Sequence, residues 1–130
     1  MISAVNFGTI NTDAKERESR LEGWKSQLHP VRGVTASELF AEAERHAKDW
    51  DYVQWAEALR GLPVLLVAAN DQNHDDMEAL AAAIPRKGSV TLEHTTVQTD
   101  HSFSDHRIAL QTIVIGWLDK LKTRGSSDKR

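Results

Sequence analysis

The sequence predicts an α/β fold built on parallel strands. Three observations lead there. Apolar runs of strand length alternate with amphipathic stretches of helix length, the pattern of strand–helix–strand units. The run Pro63-Val64-Leu65-Leu66-Val67-Ala68-Ala69 is continuously apolar, as suits a strand buried on both faces of a parallel sheet. Polar loops directly follow that run and the later one, Ser89 to Val97.

Each element has its own reason. Ile2 to Gly8 is short and mostly apolar, closes on Gly, and reads as a first strand with its start cut off. Asp13 to Leu28 is highly charged, but Leu21, Trp24, Lys25 and Leu28 share one helical face, with the Lys stem lying along it. His29-Pro30 stops that helix, because a residue before Pro avoids the helical region. Thr35 and Glu38 form a capping-box pattern that opens the next helix, with Leu39, Phe40, Ala43 and Ala47 on its apolar side. Asp49 to Asp51 breaks it. Tyr52 to Leu59 is a short helix ended by Gly61. After the strand ending at Ala69 comes a helix from Asp75 to Ile84, with Met77, Leu80, Ala81 and Ile84 inward. Pro85 to Gly88 turns into the Ser89–Val97 strand. Asp105 can cap the last helix, where Ile108, Leu110, Ile113, Val114, Trp117, Leu118 and Leu121 cover a broad apolar face. The expected organisation is one α/β portion over residues 1–121, a helical insertion over 9–62 and a polar, flexible tail over 122–130.

Composition narrows the function classes. The 130 residues are 40% hydrophobic and 27% charged, with a formal net charge of −3. This excludes collagen-like and wholly disordered chains. It disfavours nucleic acid, whose phosphates need a clustered positive face. There is no Cys, which removes disulfides, thiolate metal sites and thiol nucleophiles and is compatible with the cytoplasm. No run approaches the roughly 20 apolar residues of a membrane span, and residues 1–6 lack the charge and apolar length of a secretory signal.

In parallel sheets, functional groups collect beyond the carboxyl ends of strands. Asp71 follows one strand directly, and Asp100-His101 lies in the loop after the next. A carboxylate and an imidazole so placed can meet, the first orienting the second. The plainer reading stands beside it: Asp71 as a helix cap and His101 as an ordinary loop histidine. Asp75 and Asp76 are substitutes for Asp71, though acids in a first helical turn already suit the helix dipole. His74-Asp75-Asp76, and His101 with Asp105 and His106, are weak metal patterns better read as helix starts. Trp24, Trp50 and Trp55 fall in the insertion, where they serve as its core or line a pocket.

Two loops carry a family resemblance. Pro63 to Ala69 with Asn70-Asp71 resembles the strand and acid loop of α/β-hydrolases. Asp100-His101-Ser102-Phe103-Ser104-Asp105-His106-Arg107 resembles the catalytic-histidine loop of the same superfamily, in its acyl-hydrolase and prolyl-oligopeptidase-like branches. Trp117-Leu118 is similar to the end of the family's last helix, and Ile2 to Gly8 to the strand after its nucleophile region. The resemblance spans nearly all of Ile2 to Leu121, most specifically at the His loop. It implies a partial α/β-hydrolase sheet of about three parallel strands with a helical cap insertion. It further implies His101 as general base, Asp71 as its orienting acid, an ester or less readily an amide substrate, and no cofactor.

One family feature is missing. No Gly-x-Ser-x-Gly elbow occurs in the 130 residues. Three accounts fit: a fragment, the second half of a split enzyme, or a non-catalytic descendant that binds a ligand or partner. An open apolar edge along Ile2–Phe7 implies self-association or a complementing chain. The alternative function is a binding or interaction domain derived from a hydrolase.

Overall fold

The computed structural model describes residues 1–2, 4–10, 13–27, 33–85 and 92–127. The described chain divides into two compact units. A sheet unit comprises residues 1–5 and 55–130, and a helical unit residues 6–54. The helical unit interrupts the sheet unit in sequence, starting at Asn6, before the expected residue 9, and ending at Gln54, before the expected residue 62.

In the sheet unit, β1 (Val64–Ala69) and β2 (Leu92–Val97) pair in parallel, with Val64 opposite Leu92 and Ala69 opposite Val97. Between them runs α3 (His74–Ala83), which packs on β1, and after them α4 (Arg107–Ser127). The architecture is α/β, as the alternation of elements implies. β1 is buried nearly throughout, because successive side chains point to opposite faces and both faces are covered. Val67, Ala69 and the loop residue Phe103 form one core with Leu65, Val97, Leu110 and Ile113. On α3, Met77, Leu80 and Ala81 are buried as their spacing requires, and so is Ile84, the residue that caps its end. The Pro85–Gly88 turn beyond Pro85, and the first three residues of the expected Ser89–Val97 strand, lie outside the described residues.

Of the expected first strand, the described residues form a single parallel bridge, Ile2 to Val67, with the Val67 N–H donating to the Met1 carbonyl at 3.0 Å. The chain then leaves the sheet. Asn6 caps a 3-10 turn, Phe7–Thr9, by accepting from the Gly8 N–H at 3.0 Å. Phe7 is therefore no edge residue: its ring meets Trp24 and Trp50 edge-on within the helical unit. Gly8 is required here, since a Cβ would sit 2.6 Å from Asp51 Cα.

The helical unit is built on α1 (Ala14–Gln27) and α2 (Ala36–His46). Thr35 and Glu38 form the full reciprocal capping box. Phe40, Ala43 and Ala47 are buried with Ile10, and Leu21 and Trp24 pack against them. Lys25 does not lie along this face; it pairs with Glu22 at the surface. Leu28, His29 and Pro30 lie outside the described residues. Tyr52–Leu59 is helical, but of the tighter 3-10 kind. Gly61 follows with φ +80°, a conformation glycine adopts without strain.

Two further expectations change. The apolar surface of α4 is not one buried face. Leu110, Ile113, Val114, Trp117 and Leu121 are partly buried, whereas Ile108, Ile115 and Leu118 are 80%, 59% and 44% exposed. The helix is apolar on both sides, and the described sheet covers one. α4 also continues to Ser127, so the tail expected from residue 122 is helical over its first six residues. No helix among the described residues is long and apolar enough to cross a membrane.

Candidate active site

The parallel register fixes where the two polar loops begin. Ala69 and Val97 are partners at the carboxyl ends of β1 and β2. One residue on, the Asn70 N–H donates to the Val97 carbonyl at 2.9 Å, and the Asn70 amide donates to Gln98 Oε1 at 2.7 Å. The loops thus leave the sheet side by side. Asp71 comes immediately after this junction, and His101 three residues after Gln98.

Asp71 is held by its own loop. Its Oδ1 accepts from the Asn73 N–H at 2.8 Å, and its carbonyl accepts from the His74 N–H at 3.1 Å as α3 begins. The other oxygen, Oδ2, lies 2.9 Å from His101 Nδ1. The two residues singled out from the sequence are therefore in contact. The carboxylate is largely sheltered, with a side-chain exposure of 14% against 47% for the imidazole. A carboxylate only accepts, so this bond puts the proton of a neutral ring on Nδ1 and its lone pair on Nε2. Asn73 Nδ2 lies 3.3 Å from the same Nδ1. A protonated Nδ1 cannot accept from it, so the Asn73 amide flanks the pair without donating to that nitrogen. Asp75 and Asp76 lie in the first turn of α3, and it is Asp71 that meets the imidazole.

The His loop has structure of its own. Asp100 Oδ1 accepts from the Ser102 N–H at 2.9 Å and the Ser104 N–H at 3.0 Å. The Ser104 backbone bond is the main reason its carboxyl is held below the ordinary range. Phe103 has φ +52° and a ring 2% exposed. Asp100 enters the sequence reading only as the neighbour of His101, and Phe103 carries no reactive group, so the structural part each plays passes unseen there. The spacing Asp100-x-Ser-x-Ser is the signal that could have found the first, since a short side-chain acceptor bonds backbone N–H groups two and four residues on.

Asp105 does something other than the expected helix capping. Its Oδ1 takes the Thr99 hydroxyl and lies 2.9 Å from His106 Nδ1. The His106 contact is off the line of a directed hydrogen bond. The His106 ring first, and then the Thr99 hydroxyl, lower the Asp105 carboxyl from 3.8 to about 2. A depressed acid contributes stability above its unfolded value and loses it as pH falls through its folded value. The junction from Thr99 to His106 is therefore expected to loosen between pH 3.8 and about 2. Amide signals of Thr99 and His106 that stay fixed through that window, while the sheet remains folded, would contradict this.

Among the described residues, no group of three or more His, Asp or Glu side chains is arranged to hold a metal ion. The His74 and His94 Nε2 atoms lie 3.6 and 3.4 Å from Glu78 Oε1. A cavity of about 320 Å³ lies along β2 and α4, lined by Leu65, Glu93, Thr95, Thr112, Trp117 and Lys120 among others. Neither Asp71 nor His101 borders it, and its lining residues Lys120 and Glu93 pair at 2.7 Å. The tryptophans of the insertion divide. Trp24 packs on Phe40, Trp50 stacks on His46 while 38% exposed, and Trp55 is 57% exposed.

No protein-family model, curated protein or solved structure matches the chain.

Proposed function

We propose that Asp71 and His101 are the acid and the general base of a serine-type α/β-hydrolase site whose nucleophile lies outside these 130 residues. The observation that carries this reading is the 2.9 Å contact between His101 Nδ1 and Asp71 Oδ2. It joins loops at the carboxyl ends of two adjacent parallel strands, where such sheets gather chemistry. Acid before histidine is also the chain order of α/β-hydrolases. In this reading the Ile2–Val67 bridge is the described part of a third strand, in the order Ile2, β1, β2.

The chemistry is acyl transfer, on an ester ahead of an amide. Asp71 keeps the proton on Nδ1. A serine hydroxyl presented to Nε2 gives up its proton as its oxygen attacks the ester carbonyl. The C–O bond to the alcohol then breaks, and the alcohol leaves with that proton. Water repeats the sequence on the acyl-enzyme and frees the acid. The oxyanion donors, like the serine, belong to the completing polypeptide. The exposed apolar groups Ile2 and Val5, and Ile108 and Ile115 on α4, offer it surface to bury. No cofactor enters this scheme, and the proposed location is the cytoplasm.

The test is p-nitrophenyl acetate hydrolysis by the purified chain beside His101→Ala. Equal rates, near that of buffer, are expected, because a base without nucleophile or oxyanion donors accelerates little. A clear rate lost in His101→Ala would mean that the chain assembles its own nucleophile.

A further inference from the structure

We propose that Asp100 and Phe103 are positioning residues that together hold His101 Nδ1 against Asp71. The inference rests on reading Asp71 and His101 as a catalytic pair.

The nine residues from Gln98 to His106 are mostly polar and largely exposed, a composition that leaves a loop mobile unless something ties it. Two ties bracket His101. On the amino side, Asp100 closes a compact turn around it: Oδ1 accepts from Ser102 and Ser104, and the Asp100 carbonyl accepts from the Phe103 N–H at 3.0 Å. His101 is the first residue inside that turn, so its Cα direction is set by bonds to Asp100. On the carboxyl side, Phe103 enters the core against Val67 and Ala69, the strand that leads to Asp71. It does so at φ +52°, a conformation that a bulky side chain rarely adopts. Such a conformation persists only where its surroundings over-determine it. Here the left-handed residue sends its own ring inward while the His101 ring, two residues earlier, stays half exposed. The Phe103 carbonyl then accepts from the His106 N–H at 3.1 Å, where the chain passes into α4. Asp100 therefore orients the turn, and Phe103 pins it to the strand that carries the acid.

The experiment reads the His101 ring by ¹⁵N NMR in the intact chain, at a pH where the ring is neutral. The native chain is expected to show Nδ1 protonated and Nε2 bare, and Asp71→Asn to lose that pattern. Asp100→Ala should lose it too, while the amides of β1 and α3 stay in place. Asp100→Asn, which retains an acceptor oxygen for the Ser102 and Ser104 N–H groups, should restore it. Phe103→Gly, which suits the left-handed backbone but removes the anchor, should also lose it, and decides the matter if Asp100→Ala does not fold. A native Nδ1–H pattern that persists in Asp100→Ala, or in Phe103→Gly should that be the variant that folds, overturns the proposal and leaves the catalytic reading standing. A native chain without that pattern, unchanged by Asp71→Asn, overturns the catalytic reading itself.

Discussion

Replacing Phe40 with Ala is expected to destabilise the helical unit by about 3–5 kcal/mol. Phe40 is the centre of that unit and is 0% exposed. It shares its core with Ile10, Ala43 and Ala47, which are small or singly branched and cannot swell to fill a lost ring. The Trp24 ring meets it edge-on at 5.2 Å between centroids, and the Arg17 guanidinium lies 5.3 Å above its face. Alanine removes all three kinds of contact and leaves a cavity. The loss is comparable to the whole stability of a small domain. A urea titration followed by tryptophan fluorescence should show the midpoint fall by roughly 2 M. A change below about 1 kcal/mol would mean that α1 and α2 repack, and that the unit lacks a fixed core.

Asn6→Ala is the second large effect, expected at about 2–4 kcal/mol. Asn6 is a buried polar side chain, 3% exposed. Its Oδ1 accepts from the Gly8 N–H at 3.0 Å and from the Tyr52 N–H at 3.3 Å, and its Nδ2 donates to Asp51 Oδ1 at 2.9 Å. Alanine leaves two backbone donors and one carboxylate without this partner. The bond from Asn6 is also the main cause that lowers the Asp51 carboxyl from its ordinary 3.8. The sign follows directly. A lowered folded value makes Asp51 stabilising above 3.8, a contribution that fades as pH falls below it. The native unit should therefore lose stability below about pH 4, and Asn6→Ala should show a weaker acid dependence in that range. Equal slopes in the two proteins would detach Asp51 from Asn6.

Much of this molecule is legible in its sequence, for local reasons. β1 is a continuous apolar run with no other sensible role. The Thr35–Glu38 box and the Phe40, Ala43, Ala47 spacing specify α2 through contacts within two turns. Asp71 and His101 can be named because a parallel register brings the ends of neighbouring strands together whatever the loops do afterwards. The departures arise where one polar side chain redirects the backbone, or where two faces compete. Ile2 to Phe7 has the composition of a strand, but Asn6 followed by Gly8 makes a capped 3-10 turn and carries Phe7 out of the sheet. Asp105 has the position of a helix cap, yet Thr99 and His106 hold its carboxylate. In α4, Ile108 and Ile115 are as apolar as the residues against the sheet, and periodicity alone cannot say which stripe is covered. The left-handed Phe103 has no sequence signature at all, because nothing in the residue type favours φ +52°.

The most direct test of the proposed half-site is covalent labelling by a fluorophosphonate, which reacts with a serine activated by a histidine base. The purified 130-residue chain should carry no label. Material from cells that make this sequence natively should carry it on a serine outside residues 1–130, in polypeptide continuous with the chain or bound to it, and His101→Ala should abolish the reaction. Native material in which no serine labels in a His101-dependent way would contradict the hydrolase reading and leave Asp71 and His101 as a structural contact between two loops.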